Sequence, residues 1–478
     1  MFLRHTILYL PAQFVSTIFQ FLAIIVWTHF LEPADLGRFN LVVAVQELVF
    51  LLMLWWSFYT LRSIGEWSEE EQRRRFQRTE SFVLACALGL QIVVVSVLVV
   101  TTVDRAASAA LVATSVVFAV SRSLVAYISE RTRTAHQIGL YTILQISWSV
   151  IGFGLGVILV FMFGSSAVWP LLGTAVAQLL AAVYVMWRAG VRFFSFRPDS
   201  DILVAAMKFG FPLVVGGVLS WVSMFGNRFI IEYFLDYAEV GLFSVGNGLA
   251  DRSVTFAMTL VSTATLPLAI QDMRESGTPE AMLRLKQGSI AALGLMIPTA
   301  VGISVLAVPI AEILVGQQYR DATVLLLPVA ACSAVVYGAW CALPAQALLL
   351  LKEPGLLVRL SSAMAILTII LGIVLIQWFG ILGVAYARLA ALSLVFVIAC
   401  QICMSRIGMP FPGRELIKMC VCAGVMAAAL WVVPRPHSLV GLFIVVALGA
   451  AVYLSSAALL FRNEIKPIAG RWLLRFKT

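Results

Sequence analysis

FLEPADLGRFN, at Phe30–Asn40, returns as FLDYAEVGLFS at Phe234–Ser244, and the two share the pattern F-L-acid-x-A-acid-aliphatic-G-x-F-small at an offset of 204 residues. In each copy a long apolar run leads in, a short polar turn follows, and the glycine opens the next apolar run. The motif therefore marks the same bend in two copies of one block. Six bilayer-length runs separate the copies, and because six is even, both blocks enter a membrane in the same direction. Such blocks are related by an axis along the membrane normal, the plan of transporters built from parallel repeats.

Outward from the repeat, composition fixes the class. Of the 478 residues 61% are hydrophobic and 12% charged, against about a quarter charged in ordinary soluble domains. A water-soluble enzyme is excluded. Apolar runs recur from Ile7 to Phe461, leaving no polar stretch long enough for a separate extramembrane domain. At about 20 residues per crossing the chain divides into about fourteen spans, from 7–30 to 438–461. The first is too long, and lacks the small-residue cleavage site, of a removable signal peptide. The expected fold is an all-α polytopic membrane protein with two parallel six-helix lobes around a central cavity and two further C-terminal helices. The lobes would cover 1–190 and 191–405, with 406–478 holding helices 13 and 14 and a basic tail.

The net charge of +9 would suggest nucleic acid in a soluble chain, but in a membrane protein it sets orientation. With both termini in the cytoplasm, the outer connections hold only Arg38, Arg105, Arg228, Arg320 and Arg435 of the 33 Lys and Arg. Arg122, Lys208, Arg252 and Arg388 fall within spans, and the remainder lie inside. No nucleic-acid partner is called for. The longest inner connection, RSIGEWSEEEQRRRFQRTE at Arg62–Glu80, places acids before bases at helical spacing, which predicts a short solvated surface helix. The seven cysteines sit in or beside apolar runs with no disulfide spacing, and read as small buried apolar residues. Cys400–Cys403 and Cys420–Cys422 have no histidine near them in sequence, so neither a metal nor a cofactor is expected.

Charges inside spans are costly, by ~3 kcal/mol or more at a helix centre, so each needs a partner or an aqueous cavity. Arg252 lies near the midplane of span eight, Arg122 in the inner half of span four and Arg388 in the outer third of span twelve. Glu47 and Asp251 are 204 residues apart, which makes them equivalent acids of the two blocks. One reading gives the arginines to an anionic substrate, because guanidinium stays charged and forks onto phosphate oxygens. The acids would then balance them or bind a coupling cation. The other reading is fixed interhelical ion pairs, such as Glu47 with Arg252. Lys208, near a span end, reads as snorkelling to the headgroups.

The repeat signatures, together with KFGFPLVVGGVLSWVSMFGNRFIIEYFLDYAEVGLFSVGNGLADR at Lys208–Arg252, resemble polysaccharide flippases of the multidrug/oligosaccharidyl-lipid/polysaccharide exporter superfamily. The resemblance covers nearly the whole chain. It implies translocation of undecaprenyl-diphosphate-linked oligosaccharide from the cytoplasmic to the outer leaflet of the bacterial inner membrane, by alternating access. It also implies a protein functional as a monomer, with a polysaccharide polymerase and a chain-length regulator as partner candidates. Arg252, Arg122 and Arg388 would hold the substrate, while Glu47 and Asp251 would act in coupling or ion pairing. The chain departs from the family at Asn227-Arg228, where an acid usually precedes the base. It also lacks the Arg-rich first span of lipid II flippases, since nothing from Ile7 to Thr28 is charged.

Three alternatives stand beside this reading. A multidrug or cation antiporter of the same superfamily would favour carboxylates over arginines. A lipid II flippase shares the fold. A membrane glycosyltransferase could use Asp199-Ser200-Asp201 as a metal-nucleotide DxD, but the surrounding segment is far shorter than a nucleotide-sugar domain. Those aspartates read better as the start of a helix.

Overall fold

The computed structural model describes residues 2–63, 70–134, 137–189 and 198–462. In chain order the helices are α1 (Phe2–Phe30), α2 (Pro33–Ser63), α3 (Glu70–Leu98), α4 (Ala109–Thr134), α5 (Ile138–Ile146), α6 (Gly152–Phe163), α7 (Val168–Arg188), α8 (Ser200–Phe234) and α9 (Tyr237–Glu275). There follow α10 (Thr278–Val305), α11 (Ala307–Leu314), α12 (Arg320–Ala342), α13 (Pro344–Leu350), α14 (Pro354–Phe379), α15 (Ile381–Ile407), α16 (Gly413–Val432) and α17 (Leu439–Leu460). A membrane interior offers backbone groups no water, so an apolar chain of this kind satisfies them within helices. Eleven segments among the described residues are long and apolar enough to cross a membrane. Val15–Phe30 is a shorter apolar helix, and the count of about fourteen is not reached among these residues. The basic tail beyond Arg462 lies outside the described residues.

Two compact units account for the packing, Met1–Ser244 and Val245–Thr478. The division falls inside α9, a different line from the lobe boundary at 190 drawn from the repeat. In the first unit Val125, Ile128, Leu144, Ala182 and Val185 are fully buried and join α4, α5 and α7. A second cluster, Trp56, Phe76, Val83, Ile202 and Ala206, binds α2 and α3 to the start of α8. In the second unit Leu285, Leu343, Leu348, Leu392, Val395 and Ala399 form the core of α10, α12, α13 and α15.

Two expectations need correction. The basic connection does not make a separate surface helix in its described part: Glu70 to Glu80 is the first stretch of α3 itself. Its acid-then-base spacing favours helix, and no breaker separates it from the apolar run that follows. The cysteines are also not uniformly interior, because Cys86, Cys332 and Cys420 are exposed while Cys400, Cys403 and Cys422 are buried. A thiol is apolar enough to face lipid as well as protein.

The repeat signatures meet. Gly37 and Gly241 each lie four residues into α2 and α9, within the first unit, and their backbones cross at close range. A Cβ on Gly37 would run into the Tyr237 carbonyl oxygen, 2.8 Å from its carbon and 3.2 Å from Gly241 N. A Cβ on Gly241 would strike the Pro33 carbonyl and lie 3.2 Å from Gly37 N. Only a residue without a side chain lets two helix starts approach this closely.

Candidate functional site

Three polar levels can be followed through the first unit. At the signature end Arg38 donates through Nε to Asp104 Oδ2 at 2.9 Å and reaches Asp35 Oδ1 at 3.5 Å. Its guanidinium also lies over the Tyr237 ring, 4.8 Å from the centroid. Ser165 Oγ donates to Asp35 Oδ2 at 2.7 Å and accepts from Glu32 N–H at 3.0 Å. The Asp35 carboxylate thus ties the signature turn to Ser165 and Arg38, while Glu32 takes part through its backbone N–H.

The middle level holds two of the residues singled out from sequence. Glu47 is fourteen residues into α2 and Arg122 thirteen into α4, which puts both about 20 Å from the signature end at 1.5 Å per residue. Arg122 packs its guanidinium over Trp148, 4.8 Å from the ring centroid. Trp148 belongs to a π-helical turn, Ser147–Ile151, which interrupts the run from α5 to α6. One extra residue in a turn rotates the side chains that follow. Trp148 Nε1 also donates to Gln145 Oε1 at 3.3 Å. Glu47, half-buried, makes no hydrogen bond or ion pair among the described residues. Around this level Ser121 donates to Gln178 Oε1 at 2.7 Å and Gln91 Nε2 to Val49 O at 3.4 Å, all with buried side chains.

At the far end α3 is tied to two neighbours. Arg131 Nη1 of α4 donates to buried Glu80 at 2.9 Å and to Tyr127 Oη at 3.0 Å. Arg75 pairs with Asp199 at 2.5 Å, and Thr79 Oγ1 accepts from Asp199 N–H at 2.9 Å. Asp199 caps α8, its Oδ1 accepting from the N–H groups of Asp201 at 3.0 Å and Ile202 at 3.4 Å. The DxD is therefore a helix start. Partial burial pushes the Asp199 carboxyl up, but the cap bonds and Arg75 together outweigh it and hold the group below the ordinary carboxylate range.

In the second unit the structure brings together two residues that sequence had assigned to different tasks. Arg388 of α15 grips Asp251 of α9 with both arms, Nη1 to Oδ2 at 3.0 Å and Nη2 to Oδ1 at 3.1 Å. Asn247 closes the cluster, accepting from Arg388 Nη1 at 2.6 Å and donating to Asp251 Oδ2 at 2.8 Å. Arg388 is 7% exposed. Arg252, next to Asp251 in the chain, projects about 100° away around the helix and is partly buried. Lys286 of α10 meets Glu415 of α16 at 2.8 Å, which fastens the helices beyond the repeat. Lys208 is exposed, as snorkelling requires.

Sequence reading missed Trp148 and Asn247. Asn247 stands four residues before Asp251 on one helix face, a spacing that could have flagged it. Nothing in sequence marked Trp148, because its orientation depends on the π-helical turn.

The family model described as "Polysaccharide biosynthesis protein" matches residues 26–324. A curated relative, the "Probable low-salt glycan biosynthesis flippase Agl15" of Haloferax volcanii, is 24% identical over 265 residues, 55% of this chain and 54% of that protein. The match thus spans about half the length of that relative. Among solved structures, "Lipid II flippase MurJ, inward closed conformation" superposes with a TM-score of 0.78 at 14% identity, over 96% of this chain and 100% of that one. An inward-facing multidrug resistance MATE transporter gives 0.58 at 14% identity, over 80% and 94%. At such identities the structures testify to the fold, while the family model covers well over half of the sequence. The chain belongs to the polysaccharide biosynthesis proteins, and it shares its polytopic fold with the transporters it superposes on.

Proposed function

We propose that the protein is a flippase carrying undecaprenyl-diphosphate-linked oligosaccharide from the cytoplasmic to the outer leaflet of the inner membrane, for surface polysaccharide synthesis. The observation that carries this reading is the pair of mid-span arginines, Arg122 and Arg252, in a member of a polysaccharide biosynthesis family. A diphosphate needs cationic donors to enter an apolar interior, and guanidinium supplies them without losing its charge. Arg122, steadied on Trp148, and Arg252 would each offer the diphosphate a cation at mid-span depth. α16 and α17 lie outside the repeat, and both termini would face the cytoplasm. Arg388 enters as the counter-ion of Asp251 and not as a substrate ligand. Alternating access would present the site to each leaflet in turn, with a polymerase and a chain-length regulator using the product.

A deletion strain tests this. It should accumulate lipid-linked repeat units in the inner leaflet and lose surface polysaccharide, with both restored by the wild-type chain. Altered drug sensitivity with normal polysaccharide would favour an antiporter. Accumulated peptidoglycan precursor with normal surface polysaccharide would favour lipid II.

A further inference from the structure

One end of the α16–α17 pair, in the second unit, gathers positive charge that its own acids do not offset. α16 opens with Arg414 and Lys418 four residues apart on one face. Like charges at that spacing repel, and cations in the first turns of a helix also oppose its dipole. Helix stability therefore does not account for them. Lys418 Nζ lies 5.0 Å from the centroid of the Phe461 ring, just past the end of α17, and Arg462, next in the chain, is exposed. Two helix ends thus bring three cations to one corner. Glu415 is the one acid of the two helices, and it is taken by Lys286 of α10 at 2.8 Å.

Depth decides what these cations face. α16 is 20 residues long, about 30 Å at 1.5 Å per residue, which matches the hydrocarbon thickness of a bilayer. Its first turn, with Arg414, stands at the boundary between hydrocarbon and headgroups. Lys418 starts about 8 Å deeper, and its side chain leans toward the helix N-terminus and so back to that boundary. Ile417, Val421, Val425 and Val432 are exposed, and at 100° per residue they share a side of α16 with Arg414. Leu459 and Leu460 are exposed at the end of α17. An outward apolar face therefore terminates in a cluster of cations.

We infer that this corner binds the headgroup phosphate of an anionic phospholipid through Arg414, Lys418 and Arg462, with the acyl chains along the exposed face of α16. Guanidinium forks onto phosphate oxygens and ammonium adds a point charge. The Phe461 ring steadies the Lys418 ammonium from its face. Lys286 holds the Glu415 carboxylate, which would otherwise repel the phosphate. A zwitterionic lipid brings its own cation beside its phosphate, so three protein cations favour a lipid with net negative charge. The inference concerns helices outside the repeat, and it holds whether or not the protein is a flippase.

Native mass spectrometry of the full chain tests the site, with dioleoyl-phosphatidylglycerol or dioleoyl-phosphatidylcholine added to the detergent-purified protein. The wild type should retain phosphatidylglycerol at concentrations where phosphatidylcholine is lost. The triple variant Arg414→Gln, Lys418→Gln, Arg462→Gln should need at least about tenfold more phosphatidylglycerol for the same occupancy. A control triple, Arg274→Gln, Lys352→Gln, Arg359→Gln, removes as much charge from exposed residues of the same unit and should bind as the wild type does. Arg414→Lys, Lys418→Arg, Arg462→Lys keeps every charge and should bind within about threefold of the wild type. Equal retention of the two lipids overturns the inference. So does an equal loss in both glutamine triples, which would trace binding to net charge, or an equal loss in the charge-keeping triple, which would trace it to packing. Undecaprenyl phosphate displacing phosphatidylglycerol from the wild type at equal concentration would assign the site to a lipid carrier and overturn it as well.

Discussion

Replacing Gly37 by alanine tests whether the meeting of the two signatures holds the helix starts together. The new Cβ would press into the Tyr237 carbonyl, 2.8 Å from its carbon, with Gly241 N at 3.2 Å. Neither neighbour is a side chain that can rotate away, so α2 and α9 must part by on the order of 1 Å to reach ordinary contact distance. Overpacking of this kind costs about 1–3 kcal/mol, and the rigid backbone on both sides places Gly37→Ala at about 2–3. That equals about a 30- to 150-fold loss in the population with the helix starts closed. The measurement is unfolding of purified protein in detergent, with Gly89→Ala as the control. Gly89 lies inside α3 with nothing within 4 Å of its would-be Cβ, so alanine there should be neutral or stabilising by up to ~1 kcal/mol. Gly37→Ala with Gly241→Ala should cost less than the sum of the singles, since one separation relieves both clashes. A Gly37→Ala protein as stable as Gly89→Ala would refute the reasoning.

Further outcomes follow from the other two levels and from charge. Asp251→Asn or Arg388→Gln alone should destabilise the protein by about 3–5 kcal/mol; the double replacement should recover part of that in a thermal double-mutant cycle. Asp199→Ala should cost about 1 kcal/mol through the lost cap of α8. Because the folded carboxyl of Asp199 titrates below its ordinary value, its contribution is complete above about pH 4 and fades as pH falls further, so a pH series of unfolding midpoints should show wild type and Asp199→Ala converging only in acid. In the export assay Arg122→Lys should keep partial polysaccharide transport and Arg122→Ala should lose most of it, at matched membrane levels. Reporter fusions after Ala34 and Ala238 should read outside, and those after Glu71, Asp199 and Gly277 cytoplasm; inversion at two or more would overturn the orientation.

Sequence carried the helical membrane class, the repeat and the start of α8 because each is local or periodic. Asp199 shows why: a cap needs only its own next three residues. It also located Glu47, Asp251 and Arg388, since an ionisable group in an apolar run is visible without a fold. Their partners were another matter. The pairing of Asp251 with Arg388 joins α9 to α15 across 137 positions of chain, and no spacing rule reaches that far. The stacking of Arg122 on Trp148 depends on a single irregular turn in a helix that reads as continuous. The close crossing of Gly37 and Gly241 was hidden for a different reason: the repeat showed that the two glycines correspond, and correspondence alone says nothing about touching.

That crossing has a bearing on how the halves of the chain have aged. After a duplication each copy is normally free to accumulate changes, as Val43 in the place of Asn247 shows. At Gly37 and Gly241 the freedom is withdrawn, because each residue is the groove into which the other fits. A change in either copy is a lesion in both, so the two positions share one selective fate although they are inherited separately. The motif stays legible in the sequence because, in space, its two copies are a single object.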